Sequence, residues 1–223
     1  MPTPPYLVFA DVDETLINCK SMFEFMRFQL VAEHGPYGAT EYARIRAELQ
    51  QKADEGVPRE EINRAYYSHF AGDPVAGVHD LGARWYAERN AAGLYIESTR
   101  DALRAHRAEG AEIVLVSGSF DAVLHPVVAE VGADHLLCTR PVVRDGRYTG
   151  EVEKPMIGEA KAAAVRELLE ARPWIDPADC YGYGDHTSDL PMLDCVGHPV
   201  AVGADPAMLA YVNRRRAAEL GRV

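Results

Sequence analysis

Five short apolar runs, separated by longer segments of helical periodicity, constrain this chain more than any other feature. The runs span residues 6–11, 112–119, 135–139, 180–185 and 198–203, and each ends in small or acidic residues. Helical patterns at 98–110, 120–132 and 158–172 lie between most of them. Strands that alternate with helices favour a parallel sheet with helices on both faces. The sequence therefore predicts an α/β fold with a Rossmann-like parallel sheet.

Two stretches depart from this alternation. Residues 18–95 contain helical patterns only, at 20–35, 40–56, 58–72 and 74–90, with Gly or Pro at the junctions. We expect a small all-helical unit over the carboxyl edge of the sheet, where open α/β sheets bind ligands. Residues 140–152 alternate with period two around Asp145-Gly146, which predicts a small antiparallel hairpin. The aromatic residues of the helical stretch are predicted to form its core; they are Phe23, Phe25, Tyr66, Tyr67, Phe70, Trp85 and Tyr86.

Charge and hydropathy exclude several classes of protein. The net charge of −11 argues against a nucleic-acid binder, because such proteins need a basic surface. No apolar run approaches the roughly 20 residues that span a bilayer, and the N-terminal residues lack the features of a signal peptide. The four cysteines have no zinc-binding spacing. We expect a cytoplasmic protein without stable membrane association, and the sequence does not indicate its oligomeric state.

Polar residues suited to chemistry stand at four places, each after a predicted strand or at the start of a predicted helix. They are Asp11 with Asp13, Ser117 with Gly118, Lys161, and Asp185 with Asp189. Taken singly, the first pair is typical of a polar turn, and a lone lysine of a solvated surface. Ser117 suits an anion site, although Ser119 equally suits a helix N-cap. The last pair resembles a hard-cation site, since carboxylates and waters suit magnesium.

The order of these four places resembles the motif set of the haloacid dehalogenase (HAD) superfamily. The matching strings are D-V-D-E-T (11–15), V-S-G-S (116–119), G-E-A-K (158–161) and G-Y-G-D-H-T-S-D-L-P-M-L (182–193). They are most similar to the subfamily IB hydrolases that include the phosphoserine phosphatases. The resemblance implies a core domain of residues 1–17 and 96–223, with residues 18–95 as an inserted C1-type helical cap.

The resemblance also implies a role for each matching position. Asp11 would be the nucleophile that forms an aspartyl-phosphate, and Asp13 the general acid and then base. Mg²⁺ would be held by Asp11, the backbone carbonyl of Asp13 and Asp185, with Asp189 supporting these ligands. The phosphate would be bound by Lys161 and the Ser117 hydroxyl, with Thr15, Gly118 and Lys20 also lining its site.

Three positions depart from the family pattern. Lys20 stands where phosphoserine phosphatases place an acidic residue for the substrate's ammonium group, so phosphoserine is disfavoured. This lysine either faces an anionic or hydroxylated leaving group or is a solvated residue at a helix start. Glu14 replaces a residue that is often Gly, and His186 one that is often Ser; we expect His186 to be a surface-loop residue, with a contact near the metal as the alternative. The cap carries four arginines that are candidate substrate contacts: Arg27, Arg44, Arg46 and Arg64.

The function that this sequence favours is Mg²⁺-dependent hydrolysis of a small phosphate monoester, such as that of a sugar, a cyclitol or an amino alcohol. A phosphotransferase or mutase on the same scaffold is the first alternative, since water and a substrate hydroxyl are interchangeable acceptors. A non-catalytic HAD-fold binding protein is the second, although such a protein is expected to have lost a catalytic position. A dehalogenase is disfavoured, because that reaction needs no acid at position 13.

Overall fold

The computed structural model describes residues 6–220, leaving aside the side chains of 216 and 218–220. The outermost residues of the predicted core domain, 1–5 and 221–223, lie outside that range. Within it, five strands form a parallel sheet in the order β3-β2-β1-β6-β7. In chain order the strands are β1 (Leu7–Asp11), β2 (Glu112–Ser117), β3 (His135–Cys138), β4 (Pro141–Arg144), β5 (Arg147–Val152), β6 (Tyr181–Gly184) and β7 (His198–Ala201). The predicted α/β fold with a parallel sheet is confirmed.

The register of the central strands aligns their carboxyl ends at one edge of the sheet. Asp11 at the end of β1 pairs with Val116, and Ser117 ends β2 one residue later. On the other side Ala10 pairs with Tyr183, so β6 ends at the same edge. Every residue of β1 is buried, as expected for a central strand covered on both faces. Polar residues that follow these strands are therefore brought to one edge.

Helices of two groups surround this sheet. The first group lies outside residues 18–95 and consists of α5 (Glu97–Ala108), α6 (Asp121–Val131), α7 (Glu159–Glu170), α8 (Leu190–Leu193) and α9 (Pro206–Leu220), with short 3₁₀ turns at Pro177–Asp179 and Thr187–Asp189. The N-cap position of α6 is Phe120, so Ser119 does not serve as its N-cap. Within the described residues, no helix is both long enough and apolar enough to cross a membrane.

Four consecutive helices between β1 and α5 form what we call the helical insert. They are α1 (Ser21–His34), α2 (Pro36–Asp54), α3 (Arg59–Ser68) and α4 (Val75–Ala91). α2 begins four residues before the predicted start at 40, because Pro36 is tolerated in the first helical turn. Gly38 lets α2 pack closely on α1, since a Cβ atom there would lie 1.9 Å from the carbonyl oxygen of Leu30.

The aromatic residues of the insert divide into two groups. Five of the seven predicted core aromatics are buried, namely Phe25, Tyr66, Tyr67, Phe70 and Trp85. Tyr86 and Phe23 are only partly buried and pack against that core. Phe23 also lines a cavity at the sheet edge. The sequence predicted its contact with the core of the insert but not its exposure to this cavity.

The hairpin β4–β5 joins the insert to the rest of the chain. Asp145 and Gly146 both have positive φ angles, as the predicted tight turn requires. The Gly72 amide donates to the Tyr148 carbonyl over 2.8 Å, and the Tyr148 amide donates to the Asp73 carbonyl over 3.0 Å. The hairpin thus holds the segment between α3 and α4 by backbone hydrogen bonds.

Candidate active site

The four polar places of the sequence meet in one cavity of about 120 Å³ at the carboxyl edge of the sheet. Asp11 ends β1, Ser117 ends β2, and Asp185 directly follows β6. Lys161 lies in the first turn of α7, and Asp189 ends the 3₁₀ turn after β6. All five side chains line this cavity, together with Asp13 and Gly118. Residues up to 178 positions apart therefore share one site, because parallel strands end at the same edge.

Lys161 forms a buried ionic bridge between two carboxylates. Its Nζ lies 2.5 Å from Oδ1 of Asp11 and 2.7 Å from Oδ1 of Asp189, and all three side chains are less than 10% exposed. Burial alone would lower the pKa of Lys161, but the two carboxylates outweigh it and raise that pKa. Burial also raises the pKa of Asp11, while the adjacent charge of Lys161 opposes that rise and favours the carboxylate. The lysine is therefore held as a cation beside Asp11.

Three carboxylates form a group that fits a hard divalent cation. One oxygen from each of Asp11, Asp185 and Asp189 lies within 4.8 Å of the others. The Thr15 hydroxyl donates to Oδ1 of Asp185 over 3.0 Å, and burial raises the pKa of Asp185. Close packing requires Gly184 here, since a Cβ atom there would lie 2.8 Å from the Cβ of Asp189. The three clustered carboxylates carry more negative charge than the single positive charge of Lys161 can neutralise. Carboxylate oxygens are also the ligands that Mg²⁺ prefers. The donor set fits such an ion.

Thr15 differs from its predicted place, whereas Asp13 lines the cavity beside the acidic group. Thr15 is fully buried and binds Asp185, so it orients a carboxylate and does not line the cavity where a phosphate would lie. The Asp13 carboxylate is not part of the acidic group; its Oδ2 accepts a hydrogen bond from the Ser21 amide over 3.0 Å. Its Oδ1 is buried and has no hydrogen-bond partner within the described part of the chain. Burial raises the pKa of Asp13 to about 6.

Glu14 adopts the left-handed backbone conformation, with φ of 63°. Glycine reaches this region without steric cost, which accounts for the small residue that the family often has there. The Glu14 carboxylate lies 3.3 Å from the amine of Lys20, and both side chains are about half exposed. Both residues line the cavity mouth, so Lys20 faces the site as well as the solvent.

The loop after β2 is held by the helical insert. The Ser119 amide donates to the Ser117 hydroxyl over 3.1 Å. The Gly118 carbonyl accepts hydrogen bonds from Nδ2 of Asn63 over 3.0 Å and from the Tyr67 hydroxyl over 3.1 Å. Asn63 and Tyr67 both lie on α3, so this helix fixes the loop that presents Ser117.

The sequence missed most of the insert's side of the site. Met22, Phe23, Arg59 and Asn63 line the cavity from α1 and α3. Nη1 of Arg59 lies 2.8 Å from Nδ1 of His186, which links the insert to the loop beside Asp185. His186 is exposed, as predicted, but it also lines the cavity. A signal did exist, since Asn63 is a polar residue on the same helical face as Tyr66 and Tyr67.

The four predicted arginines have different surroundings. Arg46 packs over the Phe23 ring, 4.0 Å from its centroid, and lines a neighbouring cavity. Arg44 pairs with Glu41 and Glu48 on its own helix, over 2.7 and 3.6 Å. Arg64 donates to the Val152 carbonyl over 2.7 Å. Arg27 lines a separate cavity between α1 and α4. Of the four, Arg46 lies nearest to the site, because it packs on Phe23, which lines the cavity.

Comparison with known proteins identifies similar chains. The family model of haloacid dehalogenase-like hydrolases matches residues 8–194. A Mycobacterium tuberculosis protein named as a probable phosphatase is 41% identical over 208 residues, 88% of this chain and 68% of that protein. A phosphoserine phosphatase of Halobacterium salinarum is 32% identical over 153 residues, 67% of each chain. A protein of unknown function from Bordetella pertussis Tohama I has a crystal structure with a TM-score of 0.84, 25% identity, and coverage of 96% of this chain and 97% of that one.

Proposed function

This chain belongs to the haloacid dehalogenase-like hydrolase family and is a phosphatase of the phosphoserine-phosphatase-like type, and we propose that it hydrolyses a small phosphate monoester through an aspartyl-phosphate on Asp11. One observation carries the proposal. Asp11, Lys161 and Asp189 form a buried ionic bridge in the cavity that Asp13, Ser117 and Asp185 also line. A purely structural ionic bridge would not need three further polar groups around it.

Asp11 acts as the nucleophile in this proposal. A carboxylate oxygen attacks phosphorus, the ester oxygen leaves, and water later hydrolyses the acyl phosphate. Negative charge on both reactants opposes the attack, so positive charge must lie beside the carboxylate. Lys161, 2.5 Å away, supplies one such charge and fixes the orientation of the nucleophile.

Asp11 and Asp185, with the predicted backbone carbonyl of Asp13, would hold a divalent metal ion, and Asp189 would support them from the same acidic group. Mg²⁺ bound there would neutralise charge on the phosphate oxygens. Thr15 supports this arrangement by holding Oδ1 of Asp185. Two of the three carboxylates already contact Lys161, so the amine and a bound ion would share the neutralisation of the cluster.

Asp13 acts as the proton donor and then the base. The Ser21 amide holds one of its oxygens, which leaves the other for the leaving group. Its pKa, raised by burial to about 6, lies close to neutral pH, where one group can donate and then accept a proton. The acid protonates the ester oxygen as it departs, and the resulting carboxylate then removes a proton from water.

Ser117, Gly118 and Lys161 would bind the phosphate oxygens. The Ser117 hydroxyl and the backbone amide of Gly118 are donors at the end of β2, and both residues line the cavity. Hydrogen-bond donors held in place before the reaction stabilise charge on a phosphoryl group without further reorganisation. Asn63 and Tyr67 support this role by anchoring the Gly118 carbonyl.

We further propose that residues 18–95 act as a cap domain on a core of residues 1–17 and 96–223. The contacts of α3 with the loop after β2, and of Arg59 with His186, support a cap that covers the site. Such a cover excludes bulk water and favours a small ester over a macromolecular substrate. Lys20 at the mouth disfavours phosphoserine, because its amine would repel the ammonium group.

The experiment is phosphate release from 4-nitrophenyl phosphate by the purified protein with Mg²⁺. We expect turnover that EDTA stops and that Asp11→Asn abolishes. Asp80→Asn, an exposed position on α4, is the matched control and should keep full activity. Near-normal turnover by Asp11→Asn with an intact circular dichroism spectrum would refute the nucleophile assignment. Added alcohols, with product analysis, would reveal transfer to an acceptor other than water.

A further inference from the structure

The cavity at the sheet edge is too small for a complete substrate. Its volume is about 120 Å³, whereas a cavity of about 150 Å³ admits a benzene molecule. A phosphoryl group and its bound cation would occupy most of this space. The alcohol part of the ester must therefore extend into adjoining space.

A second cavity adjoins it between α1, α2 and α3, and we call it the side chamber. Its volume is about 310 Å³. It shares six lining residues with the first cavity, which are Lys20, Met22, Phe23, Arg59, Asn63 and Ile157. The two cavities therefore lie side by side along these residues, and the side chamber is the space next to a ligand bound at the sheet edge.

The walls of the side chamber combine apolar surface with positive charge. Leu49, Ile62 and Tyr66 add to its apolar lining. Among the described residues, its charged lining side chains are all cationic: Lys20, Arg46 and Arg59. This is unusual in a chain with 34 acidic and 23 basic residues, where acids would be expected more often than bases.

Two of these cations have no carboxylate partner among the side chains that the structure describes. Lys20 pairs with Glu14, but no carboxylate oxygen of a described side chain lies within 4.0 Å of the guanidinium of Arg46 or Arg59. Arg46 covers the Phe23 ring and Arg59 contacts His186. Because each guanidinium has five N–H donors, both keep donors for a bound anion.

We propose that the alcohol part of the substrate has an apolar body with an anionic group on it, and that it binds in the side chamber with Arg59 and Arg46 as its anion contacts. This inference rests on the proposed function, since it concerns the ester that the same site hydrolyses. It narrows the expected substrates by removing amino alcohols, whose ammonium group would meet only cations there.

Four phosphate esters test the proposal: ethyl phosphate, phenyl phosphate, 4-(carboxymethyl)phenyl phosphate and 4-(aminomethyl)phenyl phosphate. The methylene group keeps the reactivity of the three aryl esters similar while their charge differs. With Mg²⁺ present, we expect kcat/KM to be highest for the carboxymethyl ester, intermediate for the phenyl ester and lowest for the aminomethyl ester. Ethyl phosphate, which lacks a body to fill the chamber, should be poorer than phenyl phosphate.

Arg59→Ala should reduce the preference for the carboxymethyl over the aminomethyl ester by about threefold to tenfold, chiefly through KM. Arg44→Ala is the matched control, because Arg44 is an insert arginine that lines neither cavity and should leave the preference unchanged. Ile62→Trp should fill the chamber and reduce the preference for phenyl over ethyl phosphate, whereas Ile62→Val should not. Circular dichroism would establish that each variant is folded.

Equal kcat/KM values for the three aryl esters, or an unchanged preference in Arg59→Ala, would overturn this inference and leave the proposed function intact. If the wild-type protein hydrolysed none of the esters, 4-nitrophenyl phosphate included, the proposed function would fail and this inference with it.

Discussion

The two sides of the catalytic cavity differ in how they hold charge. On the sheet side, Lys161 and its two carboxylate partners are almost fully buried, and the Lys161 amine lies within 2.7 Å of an oxygen of each partner. On the insert side, Lys20 is 56% exposed and its contact with Glu14 spans 3.3 Å. Arg59 is likewise exposed, and its polar contact is with a histidine.

This difference separates reaction chemistry from substrate recognition. Buried charges interact strongly because the local dielectric is low, and removing one partner leaves the other uncompensated. Exposed pairs contribute roughly 0–1 kcal/mol, since water competes for both partners. The sheet side can therefore hold a fixed arrangement of reacting groups, while the insert side can change its residues at little cost in stability.

Replacement of Lys161 by alanine would remove the buried ionic bridge and should have the largest effect on stability and turnover. Two buried carboxylates would lose their cation, which costs about 3 kcal/mol of unfolding free energy and lowers Tm by roughly 10 °C in a chain of this size. Turnover should become undetectable. Differential scanning calorimetry measures the stability change, and Arg166→Ala, an exposed ion-pair residue on the same helix, should shift Tm little. An unchanged Tm for Lys161→Ala would contradict the importance of the bridge.

Asp13→Asn should lower kcat by about 10² to 10⁴ without unfolding the protein. The amide oxygen can still accept the Ser21 hydrogen bond, but the side chain can no longer donate and accept a proton. Steady-state kinetics should show a greater loss with ethyl phosphate than with 4-nitrophenyl phosphate, because the nitrophenolate needs no protonation to leave. Equal losses with both esters would argue against the acid role.

Mg²⁺ should stabilise the wild-type protein by about 2.7 kcal/mol at a concentration 100 times its Kd. The reason is that the ion binds the folded carboxylate group and not the dispersed acids of the unfolded chain. Asp185→Asn should lose most of this gain, while Asp80→Asn should keep it. Thermal unfolding with and without the ion measures the difference, and equal stabilisation of both variants would place the ion elsewhere.

Lys20→Gln should have the smallest effect on stability, less than about 1 kcal/mol, because its ion pair is exposed. If Lys20 faces the leaving group, KM for the carboxymethyl ester should nevertheless rise relative to that for ethyl phosphate. Urea unfolding and kinetics on the same preparations give both numbers. A stability loss as large as that of Lys161→Ala would remove the distinction between the two sides.

The strands and the hairpin turn were predictable because their signals are local. Period-two alternation around Asp145-Gly146 and the apolar run before Asp11 depend only on neighbouring residues. Thr15 was misplaced because its neighbours in sequence do not reveal that its hydroxyl meets Asp185, 170 positions away. Arg59 was missed for a similar reason, since basic residues on a surface helix usually face solvent, whereas Asn63 could have been found from the helical face that it shares with Tyr66 and Tyr67.

By itself, the sequence determined which atoms stand at the sheet edge. Parallel strands bring the residues at their carboxyl ends to that edge. Asp11, Ser117 and Asp185 therefore lie close to one another, regardless of which helices cover them. Only the tertiary structure decided what covers them. The faces that α1 and α3 turn toward the site depend on how these helices pack on the hairpin and on the loop after β2, through contacts between residues far apart in the chain. No local pattern encodes such packing, so most of the insert's side of the cavity, Lys20 excepted, was decided by the tertiary structure.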